Sequence, residues 1–274
     1  MTQLYERIIR ITLSQPATGR ALVVEGLHMA FKAERSRKKK PNAAEVTIYN
    51  LAPETRQALL SGDWKCAVAA GYAPQEPVPI LIQGDVDSVD VDRQPQDILT
   101  KFKIRDGGAA FSAAPVSLAL APPITLARAL EEAARALGLP LGPLPDGLGV
   151  EYVGGLTFQG RARDALDELT AAAGLGWSIQ DGVVVVANPL APLPRTAPLI
   201  SPSTGLIGSP KETKKKGTVT DIKAEVQFDA RYIPGLKVVL QSADVNGTFL
   251  IFKAEHDGDN FGGSFQSSLT LKPA

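Results

Sequence analysis

Alternation of apolar and polar residues marks both ends of the chain and gives way to a helical period in the middle. Arg7 to Leu13 reads R-I-I-R-I-T-L, Glu45 to Tyr49 reads E-V-T-I-Y and Cys66 to Gly71 reads C-A-V-A-A-G. Ile80 to Val91 alternates apolar with acidic positions. A period of two predicts half-buried strands, because successive side chains point to opposite faces. One short helix is predicted over Ala52 to Leu60, with Pro53 near its start and Gly62 just past its end. Closely spaced strands with turns between them imply a small barrel or sandwich.

In the middle, Thr125 can cap a helix whose Leu126, Leu130, Ala133, Ala134 and Leu137 share one face, with Gly138 placed to stop it. A second helix is predicted from about Arg161 to Ala173, with Ala162, Ala165, Leu166, Leu169 and Ala172 at helical spacing and Gly174 at its end. Asp181-Gly182 then separates two apolar runs between Trp177 and Val186, a strong hairpin signal. Asn188 to Pro202 carries Pro189, Pro192, Pro194, Pro198 and Pro202 and reads as an extended connector. Strands are predicted again over Val219 to Phe228, Leu236 to Ser242, Thr248 to Glu255 and Ser264 to Lys272, the last three as a meander. The divisions are therefore 1–113, strand-rich; 114–190, α+β; and 191–274, a connector and a second strand-rich part. The fold class is mainly β with an α+β insertion.

Composition narrows the function classes. The chain has 274 residues, 44% hydrophobic and 21% charged, which excludes wholesale disorder and fibrous sequence. With 25 Gly and 21 Pro it is too rich in turn formers for an all-helical bundle. Lys+Arg and Asp+Glu are both 29, so no global field draws in nucleic acid or an anionic membrane. No apolar stretch of about 18 residues offers a membrane-spanning segment. Met1 to Arg7 lacks the basic-then-apolar order of a signal peptide, which predicts synthesis and retention in a cytoplasm. Cys66 is the single cysteine, and with two histidines it can form neither an internal disulfide nor the usual zinc tetrahedron.

Candidate chemistry is sparse. Asp85, Asp87, Asp90 and Asp92 have the spacing of hard-cation ligands, but Asp90 stands where a calcium loop needs Gly, and Val86, Val89 and Val91 instead suit a strand with an acidic outer face and a bulge near Ser88. His256-Asp257-Gly258-Asp259 places an imidazole beside two carboxylates, yet it reads as turn chemistry, with nothing in the sequence to bring His28 nearby. Cys66 reads as a core thiol. Glu131-Glu132 and Asp167-Glu168 read as solvated helix charges. Two basic runs, Arg35, Arg37, Lys38, Lys39 and Lys40, and Lys214, Lys215 and Lys216, lack interleaved aromatics for base stacking and read as exposed basic loops. A sugar-binding groove of Trp177, Tyr152 and Asp181 is the alternative for the middle unit, although Trp177 at this spacing suits packing beneath the two helices.

Pro41-Asn42-Ala43-Ala44-Glu45-Val46-Thr47-Ile48-Tyr49-Asn50-Leu51, Thr55-Arg56, Ala70-Gly71-Tyr72, Gln83-Gly84-Asp85-Val86 and Arg105-Asp106-Gly107 together resemble the first domain of central baseplate hub proteins of tailed phages. Gly205 to Pro210, Tyr232-Ile233-Pro234-Gly235, Val245-Asn246-Gly247 and His256-Asp257-Gly258-Asp259 resemble the second β domain of the same family. The order and spacing of these motifs carry the resemblance. It implies two similar small β-barrel domains flanking an α+β subdomain, and a homotrimeric ring that adapts the sixfold tail tube to the threefold spike. It also implies a virion protein, assembled in the bacterial host cytoplasm with other baseplate proteins, whose channel passes DNA without sequence-specific binding. A tail-tip protein of a non-contractile phage and the hub of an injection machine fit the same features, and a peptidoglycan-binding or degrading tail protein is the alternative from another class.

The quoted residues have local reasons to be what they are. Gly71, Gly84 and Gly107 suit turns, Asn50 can bond its own backbone at a strand end, and Pro234-Gly235 is turn chemistry. No catalytic, cofactor-binding or metal residue is carried over. The charged segment Lys211 to Gly217 departs from the family's smoother strand entry and is expected to be a loop facing a partner or the channel. The two basic runs are the candidate interface, and any lytic domain or spike is expected on a separate chain.

Overall fold

The computed structural model describes residues 5–73, 76–107, 111, 114–188, 190–215 and 218–273, with the side chains of 5, 214, 215, 218 and 219 left aside. The first part contains β1 (Tyr5–Gln15), β2 (Arg20–Val24), β3 (Met29–Ser36), β4 (Ala43–Tyr49), α1 (Pro53–Leu60), β5 (Lys65–Ala73), β6 (Ile80–Arg93) and β7 (Ile98–Arg105). The middle contains β8 (Pro115–Leu120), β9 (Ile124–Thr125), α2 (Leu126–Ala136), β10 (Glu151–Tyr152), β11 (Leu156–Arg161), α3 (Ala162–Ala172), β12 (Gly176–Gln180) and β13 (Val183–Ala187). Then follow β14 (Leu199–Ile200), a 3-10 turn at Pro202–Thr204, β15 (Leu206–Lys215), β16 (Thr218–Gln227), β17 (Lys237–Gln241), β18 (Asn246–Asp259) and β19 (Phe265–Pro273). The protein is mainly β, with the α+β unit inserted between two strand-rich parts.

One thirteen-stranded sheet runs through both strand-rich parts in the order β15-β16-β19-β18-β3-β4-β7-β6-β5-β1-β2, with β17 paired to β18 and β14 to β17. The seam is the antiparallel pairing of β18 with β3, seven residue pairs from Lys253↔Ser36 to Asp259↔Ala30. Its alternation holds from Phe31 to Arg35, after which Ser36 is buried as well. Phe31, Ala33, Ala254 and His256 are buried on one face, while Lys32, Glu34 and Glu255 are exposed on the other.

Each part has its own apolar core. Ile11, Leu13, Met29, Phe31, Ile48 and Phe102 center the first, Leu126, Leu130, Leu166, Trp177 and Ile179 the second, and Ile222, Val238, Leu240, Ile251 and Leu269 the third. The first core reaches across the seam. Phe31 meets Phe228 and Phe265 edge-on at 5.8 and 6.4 Å, and Tyr72 meets Phe265 at 5.1 Å, the geometry that ring quadrupoles favor.

In the insertion, Thr125 Oγ1 accepts the Arg128 amide at 3.3 Å and caps α2, whose Leu126, Ala129, Leu130, Ala133 and Ala134 are buried. Positive φ at Asp181 (54°) and Gly182 (80°) gives the hairpin turn the mirror-image geometry that matches strand twist. Trp177 is 3% exposed beneath the helices, and its indole Nε1 donates to Asp167 Oδ1 at 2.8 Å. Asp167 is therefore a structural acceptor, not a merely solvated helix charge.

Several sequence expectations change. His256-Asp257-Gly258-Asp259 closes β18 and is not a turn; only Asp259 belongs to the turn that follows. His28 lies beside it, with Nε2 3.2 Å from Asp259 Oδ2. Lys211 to Lys215 continue β15, because Lys211, Glu212 and Thr213 pair with Lys223, Ile222 and Asp221, so this part of the charged segment is strand and not loop; Lys216 and Gly217 lie outside the described residues. Gly71 and Gly84 sit inside strands, and Asn50 bonds the neighboring strand's Ile98 amide and Asp97 carboxylate. β6 has the expected bulge, between Val86 and Ser88, and Asp85, Asp87 and Asp92 pair with Lys65, Arg105 and Lys101. Cys66 is 2% exposed, and burial pushes its thiol pKa up, so the thiolate nucleophile is suppressed.

Candidate functional site

The first basic run lies where the insertion docks on the end of the continuous sheet, and it is not one exposed loop. Arg35 belongs to β3 and is 5% exposed. Its Nη1 donates to the Leu81 carbonyl at 2.9 Å and its Nη2 to Asp181 Oδ2 at 2.8 Å, while Nε is buried without a partner among the described residues. Arg37 is half-buried and donates to the Ala191 carbonyl of the connector, with burial lowering its pKa. Gly235, at φ 92°, leaves the space its guanidinium occupies. Lys39 Nζ reaches Asp167 Oδ1 on α3 at 2.8 Å. Lys38 and Lys40 are exposed and have no ion pair among the described residues. Lys216 lies outside the described residues, as do the side chains of Lys214 and Lys215.

Two buried polar residues that sequence reasoning did not single out as site residues complete this clamp. Asn42, 2% exposed, accepts the Ser36 amide at 2.8 Å and donates to the Ile179 carbonyl and Gln180 Oε1, each at 3.1 Å. Asp106, 1% exposed, accepts the Asp181 amide at 2.7 Å and the Gly182 amide at 2.6 Å. The signal was present: Pro41-Asn42 and Arg105-Asp106-Gly107 fall in the family-like stretches, and the hairpin dipeptide they hold is Asp181-Gly182. What the sequence lacked was the pairing of segments some 75 to 146 residues apart.

Burial raises Asp106 to about 6, against the pull of the Gly182 and Asp181 amides; the charge of Asp181 adds to the rise and that of Arg35 opposes it. A carboxyl with a raised folded-state pKa binds its proton more tightly in the fold than in the open chain. Its stabilizing contribution is full below the ordinary carboxylate range and is lost as pH climbs toward about 6. Comparison of the wild type with Asp106→Asn by denaturant unfolding at pH 4 and pH 7 is expected to show the wild type losing about 2 kcal/mol relative to the variant on going to pH 7. A pH-independent difference would contradict this.

On the exposed face of the seam a groove of about 530 Å³ is lined by Lys32, Glu34, Glu45, Glu225, Glu255 and Asp257, among others. Glu34 and Glu255 stand directly opposite in register, a repulsive arrangement relieved by Lys253 Nζ at 3.1 and 2.9 Å. His256 lies on the buried side, its Nδ1 2.8 Å from Ser267 Oγ. Burial, with the charge of Arg35, lowers its pKa to about 4, so at neutral pH it is an uncharged core residue. The sheet's terminal strands expose apolar side chains, Val23 on β2 (59%) and Ile207 on β15 (43%).

This architecture has counterparts among solved structures. A tail protein from Neisseria meningitidis superposes with a TM-score of 0.70 at 14% identity, covering 98% of this chain and 96% of that one. The chain has the fold of phage tail proteins. The 43 kDa tail protein of prophage MuSo2 from Shewanella oneidensis gives 0.70 at 11% identity, with 96% of both chains covered. An Escherichia coli component of the type VI secretion system, described as similar to the T4 tail proteins gp27 and gp5, gives 0.58 at 12% identity, covering 90% of this chain and 73% of that one. No protein-family model and no curated protein matches the chain. No helix among the described residues is long and apolar enough to cross a membrane.

Proposed function

We propose that this chain is the central hub of a phage tail baseplate, a virion component that acts by assembly and not by catalysis. Three copies close into a ring that adapts the sixfold tail tube to the threefold spike. The observation that carries the reading is the composition of one chain: two strand-rich parts in one continuous sheet, and one α+β insertion docked at one end of it. Three copies supply six of the former and three of the latter. The end formed by strand-rich parts alone then suits a sixfold tube, and the end bearing the insertions suits a threefold spike. Among the described residues β2 and β15 are the two terminal strands of the sheet's main path, so a head-to-tail contact between copies can close on itself.

Such a ring leaves a channel, and a chain with net charge +0 and an acidic groove lets DNA pass without gripping its phosphates. The hub is assembled in the bacterial host cytoplasm, with other baseplate proteins as further partners. Similarity to a type VI component supports a second reading, the hub of an injection machine; a non-contractile tail tip makes the same demands. A peptidoglycan groove built on Trp177, Tyr152 and Asp181 draws no such support, since Trp177 is 3% exposed and Asp181 is paired with Arg35.

Electron microscopy of the purified chain tests the reading. Threefold rings with an open center are expected, and isolated single particles at all concentrations would refute it. Of the basic run, Lys38 and Lys40 are free to serve assembly. Lys38→Glu with Lys40→Glu is expected to leave unfolding within about 0.5 kcal/mol of the wild type, while weakening ring formation. Unchanged assembly would remove these lysines from the interface.

A further inference from the structure

The outer face shared by β15, β16, β19, β18, β3 and β4 carries its charges in rows. Side chains directly opposite on paired strands line up across a sheet, and the next row on the same face lies two residues along. One row holds Lys211, Lys223, Thr270 and Lys253. The next holds Glu225, Ser268, Glu255, Glu34 and Ala43. Each contains a like-charged pair placed directly opposite, Lys211 with Lys223 and Glu255 with Glu34. Such pairs destabilize a sheet that has nothing to offset them.

The chain relieves the two pairs unequally. Lys253 Nζ sits between Glu34 and Glu255. Lys211 and Lys223 are exposed and form no ion pair among the described residues. Asp221 and Glu225 flank Lys223 along β16 without pairing with it, and Glu225 Oε1 instead accepts the Ser268 hydroxyl at 2.7 Å. The groove has the opposite excess. Five carboxylates, those of Glu34, Glu45, Glu225, Glu255 and Asp257, line it with one ammonium, that of Lys32. Glu225 and Asp257 have no ion pair among the described residues. Exposed Ala43 ends the acidic row, and its small side chain leaves room for the aliphatic stem of a lysine. At about 530 Å³ the groove admits polypeptide side chains and not merely an ion.

Complementary charge names the occupant. Both excesses belong to one chain of net charge +0, so a second copy brings what each surface lacks without overall repulsion. β15 ends the path of the sheet, and β16, β19 and β18 separate it from β3, so Lys211 cannot reach the center of its own groove.

We infer that the acidic groove of one copy receives the β15–β16 hairpin of another, with Lys211 and Lys223 entering among Glu225, Glu255 and Asp257. The contact joins two different surfaces head to tail, the kind that closes into rings. The inference rests on the self-assembly reading above, and a basic segment of another protein is the competing occupant.

The test uses the full chain. Self-association is followed by light scattering, and contacts by a zero-length carbodiimide cross-linker on a mixture of isotope-labeled and unlabeled copies. Cross-links from Lys211 or Lys223 to Glu225, Glu255 or Asp257 are expected between labeled and unlabeled copies. Lys211→Glu with Lys223→Glu is expected to melt as the wild type does and to self-associate at least ~10-fold more weakly. Glu225→Lys with Glu255→Lys is expected to weaken it similarly, and a chain carrying all four changes to regain association, because its charges are exchanged but still complementary. Wild-type association in the reversed hairpin, or no recovery in a folded fourfold variant, overturns the inference and leaves self-assembly standing. Should a variant unfold, the wild-type cross-links decide, and links found only within single copies overturn it. A groove reversal that spares self-association but abolishes capture of another protein assigns the groove to that protein and also overturns it. A wild-type chain that never associates overturns both readings.

Discussion

Gly84→Ala is expected to destabilize the first strand-rich part by about 3 kcal/mol, lowering its melting temperature by roughly 10 °C. Gly84 lies inside β6 with ordinary backbone angles, so the requirement for glycine comes from the adjoining strand. A Cβ at this position would fall on the carbonyl of Arg105 and 2.8 Å from the Asp106 amide nitrogen. Those are backbone atoms, which cannot rotate away as a side-chain tip would, and the Asp106 that would have to move holds the insertion's turn. Gly154→Ala is the matched control, because nothing lies within 4 Å of a Cβ there and its φ is not positive; it is expected to change stability by less than about 0.5 kcal/mol. Equal stability of Gly84→Ala and Gly154→Ala would contradict the close-approach account.

Asp181→Ala is expected to cost about 2 to 3 kcal/mol, and more than Arg35→Met. The asymmetry follows from burial. The Arg35 side chain is 6% exposed and that of Asp181 is 45% exposed, so removing the carboxylate strands a buried cation that already has one unpartnered nitrogen, whereas removing the arginine returns Asp181 to water. Asp181 also sits at φ 54°, a conformation asparagine tolerates and alanine resists. Asp181→Asn, which keeps an oxygen acceptor and the turn, is therefore expected to lose about half as much. Limited proteolysis of the segments around residues 107–114 and 188–195 supplies a readout specific to docking. Faster cleavage in Asp181→Ala than in Arg35→Met supports the clamp, and the reverse order contradicts it.

The elements that could be read directly from the sequence are those whose determinants are local. α2 carries its cap at Thr125, its apolar face and its stop at Gly138 within fourteen residues. The β12–β13 hairpin carries Asp181-Gly182 at its center. β3 was hidden because its last residues begin a basic run, and a buried arginine looks like a solvated one until its acceptor, 146 residues away, is in place. β15 was hidden for the opposite reason: a charged, exposed edge strand lacks the apolar alternation by which strands are recognized. The family-like motifs marked positions that matter, Asn42, Gly84 and Asp106 among them, but their roles are tertiary. Gly84 illustrates this, since a turn-forming residue in the sequence proved to be a point of contact between strands.

Self-assembly is the claim on which the functional account depends, and the solution mass of the purified full chain measures it most directly. Light scattering across a range of concentrations, with and without spike protein, is expected to find the closed ring at three times 29.0 kDa, or 87 kDa, before spike mass is added. A chain that stays at 29.0 kDa throughout, with spike protein present, would contradict the account.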